Sequence, residues 1–226
     1  MEKYAVIVAG GSGQRMGADR PKQFLLLRGR PMLWHTLTAF LSAFDDLQIV
    51  LVLPTDHIEE GKSVARLTGA PARIQLVTGG RTRYHSVKNG LEAVPGDAVV
   101  FVHDGVRCLI TPGLIHRCYA AALEKGNAIP AVAATDTVRL ADAGGNKQVH
   151  RDTVRLIQTP QTFFSATLKT AFERDYNDSF TDEANVVEQL GIAIHLVEGE
   201  TTNIKITSPI DLLLAEKILE KREAGS

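Results

Sequence analysis

A short apolar run, Tyr4-Ala-Val-Ile-Val8, passes directly into Ala9-Gly-Gly-Ser-Gly-Gln-Arg-Met-Gly-Ala-Asp-Arg-Pro-Lys22. Three glycines within four positions, Gly10, Gly11 and Gly13, free the backbone to adopt positive φ and to approach a ligand, so that successive N–H groups can point at one anion. Arg15 and Lys22 add fixed positive charge to the same stretch. A strand that ends in such a loop is a phosphate cradle at the carboxyl edge of a sheet, and this confines the chain to folds that build their site there.

Spacing excludes two common glycine loops. A G-x-G-x-x-G fingerprint starting at Gly11 and Gly13 puts Met16 where the third glycine belongs, and no acidic residue stands about 20 positions on at the end of a second strand. A P-loop needs Lys and a hydroxyl residue after its last glycine, whereas Gly17 is followed by Ala18 and Asp19. The remaining pattern, A-G-G-S-G-x-R-M-G followed by P-K-Q, resembles the loop of nucleotidyltransferases that join a nucleoside triphosphate to a phosphorylated small molecule.

Apolar periodicity sets the fold class. Leu33, Leu37, Phe40, Leu41 and Phe44 share one helical face; Gln48–Leu53 is a continuous apolar strand stopped by Pro54. A polar helical segment runs to Gly69, Arg73–Val77 reads as strand, and Arg81–Val94 reads as helix with Tyr84, Val87, Leu91 and Val94 inward. Asp97–Val102 and Ala128–Ala133 are further strands, and Thr111-Pro112 opens a helix between them. Such alternation implies an α/β, Rossmann-like three-layer domain with a mostly parallel sheet and helices on both faces. With 226 residues, 44% of them hydrophobic, the chain suffices for one domain over residues 1–226. After Ala134 the rhythm breaks. Residues 135–155 read as a hairpin arm turning at Ala143-Gly-Gly-Asn146, with too little core to stand alone, so it is expected to pack against a second copy of the chain. Alternation then resumes: a helix from about Ser165, another over Thr181–Leu190, strands Ala193–Val197 and Ile204–Ile206, and a last helix begun by Ser208-Pro209-Ile-Asp211.

The formal net charge of −1 gives no nucleic-acid footprint, and no apolar run approaches the 18 residues of a membrane span. Cys108 and Cys118 match neither a redox pair nor a zinc site, so reduced thiols of a cytoplasmic protein are expected.

Other chemistry clusters at predicted strand ends. Gly79-Gly-Arg-Thr-Arg83 precedes a helix containing Ser86, and reads either as a platform for a base or as an ordinary turn. His103-Asp104-Gly-Val-Arg107 follows a strand; one Asp there suffices for magnesium when phosphates complete its shell, the alternative being a surface Asp104–Arg107 pair. His103 reads as a packed residue. Thr181-Asp-Glu183 has a sufficient local explanation as a helix cap with acids in its first turn, and unaided Lys205 faces solvent. Trp34 and the phenylalanines read as core.

Taken together, Ala9-Gly-Gly-Ser-Gly-Gln-Arg15, Pro21-Lys-Gln23, Gly79-Gly80 with Ser86-Val87, His103-Asp104-x-x-Arg107, Thr159-Pro-Gln161, Thr181-Asp-Glu-Ala184 and Asn203-Ile-Lys-Ile-Thr207 resemble the 2-C-methyl-D-erythritol 4-phosphate cytidylyltransferases of the non-mevalonate isoprenoid pathway. The resemblance implies that CTP and methylerythritol phosphate give CDP-methylerythritol and pyrophosphate. It implies that Arg15, Lys22, Arg151 and Lys205 stabilise the reacting phosphates. Ala9, Gly10, Gly11, Gly13, Gly80, Ser86 and Gly105 would bind the nucleotide, with Gly80 and Ser86 reading cytosine, and Asp104 would hold Mg²⁺. Arg107, Thr137 and Arg151 would bind methylerythritol phosphate, the last two from the partner's arm in a homodimer. Two positions depart from the family pattern: Cys108 replaces the usual Pro, and Thr202 replaces an Asp that commonly precedes Asn-Ile-Lys. The alternatives are a ribitol-5-phosphate cytidylyltransferase, a sugar-1-phosphate or molybdopterin guanylyltransferase, and a nucleotide-binding regulator without turnover.

Overall fold

Strands and helices alternate through the first 133 residues of the computed structural model, which describes residues 1–11 and 20–225. Strand β1 (Glu2–Val8) is followed by a small ribbon of β2 (Leu26–Leu27) and β3 (Arg30–Pro31), then α1 (Met32–Ala43), β4 (Gln48–Leu53), α2 (Ile58–Leu67), β5 (Ile74–Thr78), α3 (Arg83–Glu92), β6 (Ala98–Asp104), α4 (Pro112–Lys125) and β7 (Asn127–Ala133). A hairpin of β8 (Val138–Asp142) and β9 (Gly145–Val149) comes next. The remainder is β10 (Arg155–Ile157), β11 (Gln161–Phe164), α5 (Ser165–Phe172), α6 (Glu183–Glu188), β12 (Leu196–Glu198) and α7 (Pro209–Ala224).

The main sheet runs β10-β7-β11-β6-β1-β4-β5, with β12 also paired to β7. Strands β5, β4, β1 and β6 are parallel, and the pairing Val8↔Asp104 brings the carboxyl ends of β1 and β6 side by side. The chain leaves β1 toward β4 and later returns to its other edge as β6. That reversal is the topological switch point at which open α/β sheets bind ligands.

Alternation along the strands sorts the core into two layers. Ala5, Ile7, Ile49, Leu51, Val99 and Phe101 face α1, α2 and α4, while Val6, Val8, Val50, Val52, Val100 and Val102 face α3, α5 and α6. Each fully buried aliphatic or aromatic side chain contributes about 1.5–3 kcal/mol, so these layers carry the fold. Trp34 lies at the margin, half-buried, with its indole N–H donating to Leu67 O.

Several expected elements differ. The antiparallel strand β11, between β6 and β7, has no counterpart among the elements expected from sequence. Only Leu196–Glu198 forms a strand where Ala193–Val197 was expected, because the Asn127 amide takes the place of a ladder there, donating to Ala193 O and accepting from His195 N. Ile204–Ile206 is not a strand. It is tied instead to the β6–α4 loop by Ile206 N–H to Val106 O, with Ile206 buried beneath α7. The cap of α6 is Asp182, which accepts from Asn185 N, and not Thr181. By contrast Thr111 and Ser208 cap α4 and α7 as read, the latter in a full capping box with Asp211. The arm β8–β9 pairs only with itself, and Leu140 on it is exposed.

Candidate active site

Every loop at the carboxyl edge of β1, β4, β5 and β6 contributes to one pocket of about 540 Å³, a size suited to a nucleotide. Ala9, Gly10, Gly11, Lys22, Gly80, Ser86, Asp104 and Lys205 all line it, together with Arg83. The expected site residues Gly13 and Arg15 fall within residues 12–19 and lie outside the described residues.

At the end of β1, the Ala9 amide continues the sheet to Val52 O, and the chain is pinned on its return by Gln23, whose amide donates to Ala9 O. Neither Gly10 nor Gly11 uses a left-handed φ, contrary to the expectation for this loop. Among the described residues, a Cβ on Gly10 would meet nothing within 4 Å, and one on Gly11 only Lys22 Cε at 3.8 Å, so neither position is crowded by them. Lys22 opens a single 3-10 turn after Pro21 and is largely buried, its stem running beside Gly11.

The opposite wall is the β5–α3 turn. Gly80 N–H donates to Ser86 Oγ at 3.1 Å, and the Ser86 hydroxyl donates on to Thr82 O at 3.0 Å, so the two form one folded unit. The first of these residues must be glycine, because a Cβ there would stand 2.4 Å from His85 Cβ.

Asp104 ends β6 and is 6% exposed. Its Oδ1 accepts from Arg83 Nε at 3.1 Å, its Oδ2 lies 2.9 Å from Lys205 Nζ, and Arg107 Nε stands 3.7 Å from Oδ2. Burial pushes the carboxyl upward, but Arg83, Lys205 and Arg107 outweigh it and hold Asp104 well below the usual carboxylate range. The alternative reading of a surface pair between Asp104 and Arg107 gives way to a buried cluster in which Lys205 and Arg83 are nearer. Lys205 faces the site, not solvent alone, because Asn203 anchors its segment by donating to Thr159 O. Arg107 lies behind the pocket wall and donates to Asn203 O. Gly105 is also behind the wall: its N–H is taken by Val8 O, and a Cβ would crowd Ala9 Cβ at 2.9 Å, so it serves close packing of β1 on β6.

His103 is fully buried, with Nδ1 against Thr159 Oγ1 and Nε2 against Arg107 O. Burial lowers its pKa to about 3, so it is a neutral packed residue, as its place in the sequence suggested. Burial likewise pushes the Cys108 thiol up to about 12, which leaves no thiolate at neutral pH.

Two charged residues of this cluster were not singled out from sequence. Arg83 begins α3 and forks onto Glu183 through Nη1 and Nη2 at 2.5 and 3.1 Å, while its Nε reaches Asp104. Glu183 is 1% exposed. Burial opposes the charge on Arg83, but Glu183 and Asp104 outweigh it and raise its pKa. For Glu183, burial wins and pushes the carboxyl up, opposed by Arg83.

Thr137 and Arg151 are close to each other but not to this pocket. They line a separate shallow depression at the base of the arm, where Arg151 donates to Thr135 O and stands near Asp152.

A family model described as IspD, 2-C-methyl-D-erythritol 4-phosphate cytidylyltransferase, matches residues 4–221. Enzymes of that name from Phocaeicola vulgatus and Porphyromonas gingivalis are 43% and 45% identical over 219 residues, covering 97% and 96% of this chain and 100% and 98% of their own. Among solved structures, 4-diphosphocytidyl-2C-methyl-D-erythritol synthase from Anaerococcus prevotii superposes with a TM-score of 0.83 at 28% identity, covering 97% of this chain and 98% of that one. The cytidylyltransferase of Thermus thermophilus does so at 0.76 and 34%, covering 97% and 100%. The match runs through every strand of the sheet and every loop of the pocket, and this chain belongs to the 2-C-methyl-D-erythritol 4-phosphate cytidylyltransferase family.

Proposed function

We propose that this chain transfers the cytidylyl group of CTP to methylerythritol phosphate, releasing pyrophosphate and CDP-methylerythritol. The observation that carries the reading is the convergence of Lys22, Lys205 and Asp104 with the Gly80–Ser86 unit on one nucleotide-sized pocket in a member of this family. In the reaction an oxygen of the acceptor phosphate bonds to the α-phosphorus as the bond from that phosphorus to the pyrophosphate oxygen breaks. The acceptor is already an anionic nucleophile at neutral pH, so no general base is needed, which fits a neutral, fully engaged His103 and inert cysteines. The barrier is the approach of two polyanions and the charge that builds around the α-phosphate. Lys22 and Lys205 in the pocket wall meet that charge, and the family resemblance assigns the same task to Arg15.

Asp104 suits a magnesium ion: it is a buried carboxylate held ionised in the wall of the pocket, and Mg²⁺ commonly takes one or two carboxylates plus phosphate oxygens. When bound there the ion would neutralise charge on the triphosphate. No cluster of three His, Cys, Asp or Glu side chains exists among the described residues to form a full protein cage.

Thr137 and Arg151 belong, in this reading, to the site of a second copy, each arm reaching into its partner's pocket beside Arg107. Their separation from the pocket within one chain and the arm's self-contained pairing support that arrangement. The enzyme is taken as cytoplasmic; no helix among the described residues is long and apolar enough to cross a membrane.

Pyrophosphate release from CTP and Mg²⁺ with either methylerythritol phosphate or ribitol 5-phosphate tests the assignment. Release with methylerythritol phosphate alone is expected. Release with ribitol 5-phosphate alone would move the acceptor, and release with neither would overturn the enzymatic reading.

A further inference from the structure

We propose that Glu183 is a positioning residue that cancels the charge of Arg83, keeping Asp104 open to a divalent cation. This rests on the reading of Asp104 as the metal ligand.

Three cations among the described residues surround Asp104: Arg107, 3.7 Å from Oδ2, donates instead to Asn203 O, and the geometry separates the two within hydrogen-bonding distance. Lys205 reaches Asp104 on a partly exposed stem, with Nζ bound to no second carboxylate among the described residues. Arg83 differs. Its side chain is spanned between two carboxylates, with Nη1 and Nη2 both given to Glu183 and only Nε left for Asp104. A guanidinium fixed 3.1 Å from Oδ1 would compete directly with a metal for that carboxylate, and in a poorly hydrated pocket wall the competition would be severe. The fork onto Glu183 makes the Arg83–Glu183 unit neutral as a whole, so Arg83 orients the carboxylate by one hydrogen bond without displacing a cation from it.

The structure also fixes Glu183 from both sides. Gln161 of β11 donates to Asp182 Oδ2 at 2.9 Å and accepts from Ala184 N at 2.7 Å, gripping the residues before and after it. A purely structural ion pair needs no such aim, and losing either member of one leaves a buried charge and disturbs the site in the same direction. Charge cancellation predicts that the two losses differ. Removing Glu183 frees a competing cation, whereas removing Arg83 does not.

The test is Mn²⁺ binding to the full chain with α,β-methylene-CTP present, followed by electron paramagnetic resonance of free Mn²⁺, a readout that needs no turnover. E183Q should weaken Mn²⁺ binding at least about tenfold, R83Q should not weaken it, and R83Q/E183Q should return to within about threefold of the parent, given the strength of unscreened charge pairs at such distances. D104N should lose the protein's contribution altogether. Parent-like binding by D104N would remove the metal reading and the inference with it. Loss in D104N together with parent-like E183Q, or a double variant no better than E183Q, would overturn the role of Glu183 alone. Should E183Q fail to fold, R83Q and the double variant decide: weakened binding in either overturns the proposal.

Discussion

Acid should destabilise this protein through one residue in particular. His103 sits at the end of β6 with no exposure to solvent, its two ring nitrogens engaged by Thr159 Oγ1 and Arg107 O, and burial lowers its pKa to about 3. In the unfolded chain the same imidazole titrates near 6.5. Between those values the unfolded state binds a proton that the native state refuses, so the stability His103 contributes is complete above pH 6.5 and is lost as pH falls toward 3. Each pH unit costs up to ~1.4 kcal/mol, so lowering the pH from 7 to 5 should remove about 2 kcal/mol of unfolding free energy. Two other groups bear on the slope by the direction of their shifts: His35, lowered by burial, adds to the loss, and Glu183, raised by burial, opposes it. Comparison with H103Q removes both, since they are common to the two proteins. Urea unfolding at pH 7, 6 and 5, followed by the fluorescence of Trp34, the single tryptophan, gives the two slopes. The parent should lose about 2 kcal/mol more than H103Q across that range, whatever the absolute stability of the variant. Equal slopes would refute the reasoning, and would mean that the native state can protonate His103 by opening the Thr159 contact.

Substitution of Lys22 or Lys205 by Ala should lower kcat by about 10²–10³ while leaving the thermal unfolding midpoint nearly unchanged, because each supplies preset charge more than packing; unchanged turnover would sink the role. Gly80→Ala forces a Cβ into His85 and should shift the start of α3, costing about 1–3 kcal/mol and raising KM for CTP more than KM for the acceptor; equal effects on both would separate this turn from the nucleotide. If the arms cross between subunits, mixing inactive K22A with inactive R151A should recover about a quarter of parental activity, since half the dimers are mixed and each of those has one intact site. No recovery after subunit exchange would place Arg151 in its own chain's site.

The parallel half of the sheet was legible because β1, β4 and β6 are near-continuous apolar runs and β5 a shorter, mixed one, each closed by Pro54, Gly79 or a polar loop. The helix starts at Thr111 and Ser208 were legible as well, since capping is a short-range bond. Strand β11 was not. Gln161-Thr-Phe-Phe164 is four residues long, and its membership of the sheet depends on a slot between β6 and β7 that no local pattern records. At Ala193–His195 the apolar run was real, but a single side chain, Asn127, took over the pairing. The site divides in the same way. Asp104 and Lys22 follow from their places beside strand ends, whereas Arg83 could not be told from Arg81 until α3 was seen to begin at the former, leaving the latter exposed over Tyr176. Glu183 was discounted because a first-turn acid is already explained by helix electrostatics. The signal that could have found it is its neighbour: Asp182 alone satisfies the cap, which leaves the second acid of Thr181-Asp-Glu-Ala184 without a local task.

A pocket meant for two polyanions carries one buried carboxylate in its wall, Asp104, and a second, Glu183, behind Arg83, and the charge balance explains why. Lys22, Arg83 and Lys205 converge in the pocket at the switch point, where β1 and β6 end side by side, and Arg107 stands behind its wall. Left alone, those cations would repel one another and turn outward into water, and each would then have to be drawn back when a ligand arrived. Asp104 and Glu183 remove that reorganisation. Asp104 gathers Arg83 and Lys205 within hydrogen-bonding distance, with Arg107 just beyond, and Glu183 neutralises Arg83, which the two carboxylates hold between them. The donors therefore stand in place before the triphosphate enters, and its arrival exchanges one set of anionic partners for another. Catalysis by charge alone depends on that condition, since only groups already oriented stabilise developing charge without a further cost at the moment of reaction.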